Sequence, residues 1–302
     1  MKIAIAGATG FVGSRLVEQL QAQGHQIVIL TRSPQQASNR FGAATVVGYN
    51  PLKSGEWQSA IDGCDAIINL AGEPIAEKRW TPAQKRVMLE SRQIGTEKIV
   101  EAIEKATNKP PVLINASAIG YYGTSETSKF DETSPAGSDF LAEVCTKWET
   151  AAQAASASGT RVVILRLGIV LGENGGALGK MLAPFSAFVG GPIGSGKQWF
   201  SWIHRDDVVK LIVAALTDPK MQGVYNATAP NPVTMTDFAQ TLGTVMNRPS
   251  WLPVPNFALE ALLGEGAIVV LQGQQVTPTN TLAQGFEFQY PTLKPALAAI
   301  LG

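Results

Sequence analysis

Gly7, Gly10 and Gly13 open the chain with a spacing suited to holding a dinucleotide. A pyrophosphate must lie against main-chain N–H groups, and a helix starting there turns its positive end toward the anion. Gly7 serves the tight turn, Gly10 lets the phosphates approach the backbone, and Gly13 lets the helix pack closely. Thr9, Phe11 and Val12 complete the turn as cofactor contacts. Further on stands Thr31-Arg32-Ser33. An acid at this place accepts from the ribose of NAD, whereas a cation accommodates the 2′-phosphate of NADP. Arg32 has no acid beside it, so the expected cofactor is NADP(H), with Thr31 and Arg32 in contact with it. The plainer reading is a solvated loop arginine.

These residues need elements to position them. The apolar run at residues 3–6 reads as a strand buried on both faces, followed by a helix from Phe11. Strands are expected at 26–30, 44–47, 66–70, 112–115, 161–167 and 225–228. The third leads into Gly48-Tyr49-Asn50-Pro51, with Asn50 placed to border an adenine. The fourth runs out into Leu70, Ala71 and Gly72, small enough at their backbone for a cofactor to lie against a strand's carboxyl end. The fifth ends at Ala116 and Ser117, with Tyr121 and Tyr122 beyond. Thr81 caps and Pro82 opens a long helix to about residue 106, and further helices are expected over 140–157 and 205–216. Asp206 and Asp207 read as a cap of the last. Strands alternating with helices predict an α/β fold, a Rossmann-type doubly wound parallel sheet. Glycine and proline crowd the chain after Gly172, which predicts a smaller C-terminal lobe. Residues 1–171 plus 205–228 would form the NADP-binding domain, and 172–204 plus 229–302 a substrate or lid domain over the strand ends.

Composition narrows the partners. At 45% hydrophobic and 16% charged, 302 residues can bury a substantial core. A formal net charge of zero argues against nucleic-acid binding by phosphate neutralisation. Cys64 and Cys145 lack metal-ligand spacing, so no metal is expected, and two lone thiols suit a reducing compartment. The longest apolar runs fall well below the ~20 residues that cross a bilayer. A soluble, cytoplasmic protein is expected, with peripheral membrane association left open.

Several motifs together resemble the extended short-chain dehydrogenase/reductases, the class containing nucleotide-sugar epimerases. They are Gly7-x-x-Gly10-x-x-Gly13, Asn69-Leu-Ala-Gly72, Tyr122-Gly123, Lys147, Arg166-Leu-Gly-Ile-Val-Leu-Gly172 and the stretch from Gly194 to Asp207. More narrowly, Gly72-Glu-Pro-Ile-Ala-Glu-Lys-Arg-Trp80, Ala116-Ser-Ala-Ile-Gly-Tyr-Tyr-Gly123 and the tail at 270–301 resemble the atypical, epimerase-like SDR family 39U subgroup and its small C-terminal domain.

The resemblance implies a Ser-Tyr-Lys site in which a lysine grips the ribose and lowers a phenol's pKa. Lys147 would be that lysine, yet Glu143 stands four residues before it, and Ala118 stands where the serine belongs, with Ser117 one residue early. Tyr121 or Tyr122 could stand in as proton donor, or serve as an aromatic wall. Arg79, Trp80 and His204 are candidate substrate residues, although a hydrogen-bonded structural role for His204 fits its surroundings too. Phe200 occupies a position where sugar-nucleotide epimerases often carry an arginine, which argues against a nucleotide-sugar substrate. Two functions stay open: an oxidoreductase or epimerase with an unknown small-molecule substrate, and a cofactor-sensing regulator, for example of cell or plastid division, with a protein partner and little turnover.

Overall fold

Short apolar runs that end in glycine or polar turns become the strands of a seven-stranded sheet. The computed structural model describes residues 1–173 and 175–302. In chain order, β1 (Lys2–Ala6), α1 (Phe11–Ala22), β2 (Gln26–Thr31), α2 (Pro34–Arg40), β3 (Thr45–Gly48) and β4 (Ala66–Asn69) build the first half. The second half adds α3 (Pro82–Lys105), β5 (Val112–Ala118), the short β6 (Lys129–Phe130), α4 (Phe140–Gln153) and β7 (Arg161–Leu167). Later come β8 (Ile169–Leu171), α5 (Gly176–Ser186), β9 (Trp199–Phe200), β10 (Trp202–His204), α6 (Arg205–Thr217) and β11 (Gly223–Ala227). The order across the sheet is β11-β7-β5-β4-β1-β2-β3, and every pairing in it is parallel. The fold is thus the expected Rossmann-like one. The order reverses between β1 and β4, where such sheets open a crevice at their carboxyl ends.

Side-chain alternation along β1 divides the core. Ile3 and Ile5 join Leu16, Val17 and Leu20 of α1 and Val208 and Ile212 of α6 on one face. Ala4 and Ala6 face the opposite way, with Ile99 and Ile103 of α3 and Ala152 of α4. Both faces are covered, which is why the strand sequences are continuously apolar. Thr81 caps α3 by accepting from Gln84 N, with Pro82 in the first turn. The helix over α4 is shorter than its sequence suggests: it tightens after Gln153 into a 3-10 segment ending at Gly159, which adopts a left-handed conformation.

The remaining elements are β12 (Val233–Thr234), α7 (Met235–Met246), α8 (Asn256–Leu263), α9 (Ile268–Leu271), β13 (Gln275–Val276), α10 (Thr279–Ala283) and α11 (Leu293–Leu301). A separate apolar cluster gathers Leu178 of α5, Phe200 and Trp202, Phe238 and Leu242 of α7 and Leu297 of α11. Phe200 packs on Phe238 with ring centroids 4.2 Å apart. No helix of the described residues is long and apolar enough to cross a membrane.

Candidate cofactor and ligand site

The backbone leaves β1 at Gly7 with φ +83°. A Cβ there would stand 2.7 Å from the Leu70 carbonyl carbon, so conformation and space both demand glycine. At Gly13 a Cβ would lie 2.1 Å from the Gly7 carbonyl oxygen, so the helix can begin this close to the strand only without a side chain. Gly10 is the N-cap of α1, offers no side-chain cap, and no acid stands in the first turn. Among the described residues no side chain accepts from the first N–H groups of α1, so its positive end is left to meet an anion. This turn fits a pyrophosphate. Thr9 is exposed beside it, while the Phe11 ring lies 4.9 Å beneath the Arg205 guanidinium.

Arg32 follows β2 and is exposed. Its charge reaches Tyr49, where burial nonetheless pushes the phenol up to about 12. Thr31 is buried and its hydroxyl accepts from Ser33 N at 3.1 Å. Asn50 Oδ1 accepts from Leu52 N at 3.0 Å and so shapes the loop after β3. At the neighbouring strand ends, buried Asn69 donates to Thr96 Oγ1 at 2.9 Å and to Asn115 Oδ1 at 2.7 Å. Asn115 donates in turn to the carbonyl of buried Ala116 at 2.7 Å. Leu70, Ala71 and Gly72 are carried past this tie, with Ala71 N donating to Asn69 Oδ1 at 3.3 Å. Sequence reasoning passed over Thr96 of α3 and Asn115 of β5, although Asn115, a polar residue inside an apolar strand, is a usable signal.

The α4 helix corrects the expected catalytic register. Lys147 lies outward, 2.6 Å from Glu143 Oε1, in a groove shared with Glu97 and Glu101 toward the amino-end half of the sheet. The face that meets the end of β5 carries Leu141 and Cys145 instead. A Cβ at Gly120 would lie 3.2 Å from Leu141 and 3.9 Å from the Cys145 sulfur. The Cys145 thiol points at the Ala118 carbonyl, 3.6 Å away. Burial and the nearby Glu149 push that thiol up to about 11, so it stays protonated at neutral pH. Ala118, Leu141 and Cys145 thus bring no acid–base group to this place.

Ser117 and Tyr122 are both tied into a buried hydrogen-bond network. Ser117 Oγ donates to Glu149 Oε1 at 2.6 Å, and Arg166 grips the same carboxylate with two bonds of 2.8 Å. Arg166 also donates to the Tyr122 oxygen at 2.9 Å, and Tyr122 donates to Asn226 Oδ1 at 2.7 Å. Burial pushes the Tyr122 phenol up to about 12. Its proton and its lone pair are both engaged inside the fold. Tyr121 differs: its ring lies under the Arg166 guanidinium at 3.3 Å, and its hydroxyl has no side-chain or backbone partner among the described residues.

The candidate substrate residues are also engaged within the fold, His204 in the hydrogen-bonded structural role that its surroundings suggested. Trp80 is buried, donates to the Ile75 carbonyl at 2.8 Å and packs on Phe140. Arg79 donates to the Ala261 carbonyl at 3.0 Å. Arg79 thus ties the polar loop to α8 while remaining exposed, and Trp80 packs inside the fold against the start of α4. His204 is the cap of α6: its Nδ1 accepts from Asp206 N at 3.1 Å, and its ring packs 4.1 Å from that of Tyr290. The two aspartates do other work. Asp206 pairs with Arg15 at 2.8 Å, and Asp207 accepts from Gln289 N and Tyr290 N.

Comparison with known proteins agrees with this architecture. The model of the NAD dependent epimerase/dehydratase family matches residues 3–228, and that of a domain of unknown function (DUF1731) matches residues 254–300. The chain is 52% identical to the chloroplastic epimerase family protein SDR39U1 homolog of Arabidopsis thaliana, over 100% of this chain and 87% of that protein. It is 38% identical to epimerase family protein SDR39U1 of Homo sapiens, over the full length of both. The crystal structure of the human protein with NADPH superposes with a TM-score of 0.90, covering 99% of each chain. A UDP-glucuronic acid 4-epimerase from Bacillus cereus, 18% identical with a TM-score of 0.80 over 99% of this chain and 98% of that one, shares the fold.

Proposed function

Because the chain belongs to the NAD dependent epimerase/dehydratase family, and to its SDR39U1-like branch, we propose that it is an atypical short-chain dehydrogenase/reductase. In this reading it binds NADP(H) and senses it, with little turnover on ordinary carbonyl or nucleotide-sugar substrates. One observation carries the reading. The face of α4 that meets the end of β5 offers Leu141 and Cys145, and β5 offers Ala118, where a proton donor would be required. Support for the cofactor comes from the uncapped, acid-free start of α1, from Arg32, and from the NADPH in the human relative's structure. Thr9, Gly10, Phe11 and Val12 would meet the phosphates, Arg32 the 2′-phosphate, and Leu70–Gly72 with Ala116 the remainder. Bound NADPH supplies a hydride. An alkoxide formed by its transfer needs a general acid worth about 10²–10⁴-fold in rate, and Tyr121 is the free phenol in that neighbourhood. Two unpaired buried thiols fit a cytoplasmic setting.

Calorimetric titration with NADPH and NADH tests the cofactor, and single-turnover NADPH oxidation with aldehydes, ketones and UDP-sugars tests the chemistry. NADPH should bind at least ten-fold more tightly, and Arg32→Asp should remove that preference, a loss of about 1.5–3 kcal/mol for a charge-assisted contact. Equal affinities would take Arg32 out of the phosphate role. Fast oxidation would overturn the low-turnover reading, and its loss in Tyr121→Phe would make Tyr121 the proton donor.

A further inference from the structure

A buried cation in a folded chain is normally neutralised, and Arg166 illustrates the rule with its two bonds to Glu149. Arg92 of α3, half-buried, has no such carboxylate partner among the described residues. Its guanidinium lies flat against Gly72 at the exit of β4, where a Cβ would stand 2.9 Å from Cζ and 3.1 Å from both Nε and Nη2. On the side of α4, the same group lies 5.1 Å from the centre of the Trp148 ring. Nη1 donates to the Met88 carbonyl at 3.1 Å. Among the described residues, no acceptor meets Nε or Nη2 and no carboxylate lies within ion-pair distance. Glu73, whose charge also reaches Arg92, is bonded to Lys78 at 2.9 Å. Burial disfavours the charge, yet a guanidinium stays protonated in proteins. The Nε–Nη2 edge is the fork that binds a carboxylate through two parallel bonds. Gly72, against which the face of the guanidinium lies, is exposed, and Cys145 is nearby.

We propose that Arg92 is the anchor of an anion subsite for a small carboxylate ligand, beside the proposed cofactor crevice at the end of β4. The inference rests on the NADP(H) reading for its setting, but not for its chemistry. The fixed plane between Gly72 and Trp148 aligns the fork, and the apolar Leu141–Cys145 face suits the carbon portion of such an acid. Arginine holds its proton, so the subsite binds and orients rather than exchanging protons.

The test uses the full chain and sodium malonate as probe, with neutral malonamide as control. Malonate titrated calorimetrically into NADPH-saturated protein should bind saturably, and malonamide should not. Arg92→Gln should weaken malonate at least ten-fold while leaving NADPH affinity within about three-fold, and Arg92→Lys should fall between, having charge without the fork. Circular dichroism and Tm identify a variant that has failed to fold; Arg92→Lys then carries the comparison. No saturable malonate binding to the wild type, or equal binding to wild type and variants, overturns the proposal. A ten-fold loss of NADPH affinity in folded Arg92→Gln overturns it as well, by assigning the cation to the cofactor's phosphates. If NADPH itself fails to bind the wild type, the cofactor reading falls, and malonate titration of the free protein still decides on the subsite.

Discussion

Lys147 and Cys145 stand two positions apart on α4 and face in unlike directions, since two residues rotate a helix by about 200°. The consequence is measurable. Lys147→Ala should leave NADPH affinity unchanged in calorimetry and move stability by no more than ~0.5 kcal/mol, because its partner Glu143 is an exposed neighbour one turn away. A ten-fold loss of affinity would return the lysine to the ribose. Tyr122 is the opposite case, small in chemistry and large in structure. Tyr122→Phe removes the acceptor of one Arg166 bond and the donor to Asn226. It should lower the unfolding free energy by about 1–3 kcal/mol in denaturant titration, with NADPH binding intact. A neutral result would mean that water replaces the hydroxyl.

At the scale of elements, what could be read in advance was whatever the chain decides locally. The glycine turn, the Thr81 cap and Pro82 start, and the strand lengths rest on residues within a few positions of one another. Lys147 was misjudged because the face a helix buries depends on partners far away in the chain. Met88, Arg92, Gly95 and Ile99 form one stripe of α3, and Arg92 breaks an otherwise apolar or small series. That break was the available signal, hidden by the many charges elsewhere on the same helix. The cap of α6 was expected from Asp206 and Asp207, yet both carboxylates are committed to other segments and His204 fills the role. Burial holds the His204 imidazole below its ordinary value, so it folds neutral. The unfolded chain therefore takes up a proton first: stability is fully present above pH about 6.5 and is lost as pH falls toward the depressed folded value. Protonation also removes the Nδ1 acceptor from Asp206 N. His204→Asn keeps a capping oxygen, and should flatten the fall in Tm between about pH 7 and pH 5 relative to wild type. Parallel Tm profiles would refute this assignment.

Across the whole molecule, the polar loop and the start of α3 meet the α8 region through Arg79 to Ala261, Lys85 to Glu265 and Trp80 against Gly266. Farther along, Gln274 Nε2 donates to the Ile119 carbonyl beyond the end of β5 at 2.7 Å. These contacts are mostly polar and partly exposed, and α8 has no buried residue of its own, with Phe257 73% and Leu262 69% exposed. We propose that residues 172–204 and 229–302 act as a lid over the strand ends, opening along this seam. Saturating NADPH should then slow amide hydrogen exchange in residues 73–80 and 256–271 several-fold, while the sheet strands change less. Identical exchange with and without NADPH would show a fixed lobe.

The Arg166 network also constrains how the molecule is made. Glu149, Tyr122 and Ser117 precede Arg166 in the chain, so the ionic pair can form as soon as β7 is available. Its outer shell arrives late: Asn226 donates to the Thr277 carbonyl at 2.9 Å, and its own carbonyl accepts from Thr281 at 2.8 Å. At ~5–20 residues per second on the ribosome, that gap amounts to roughly ten seconds in which the interior charge waits beside an incomplete polar shell. Nascent chains stalled between these segments should be the protease-sensitive ones.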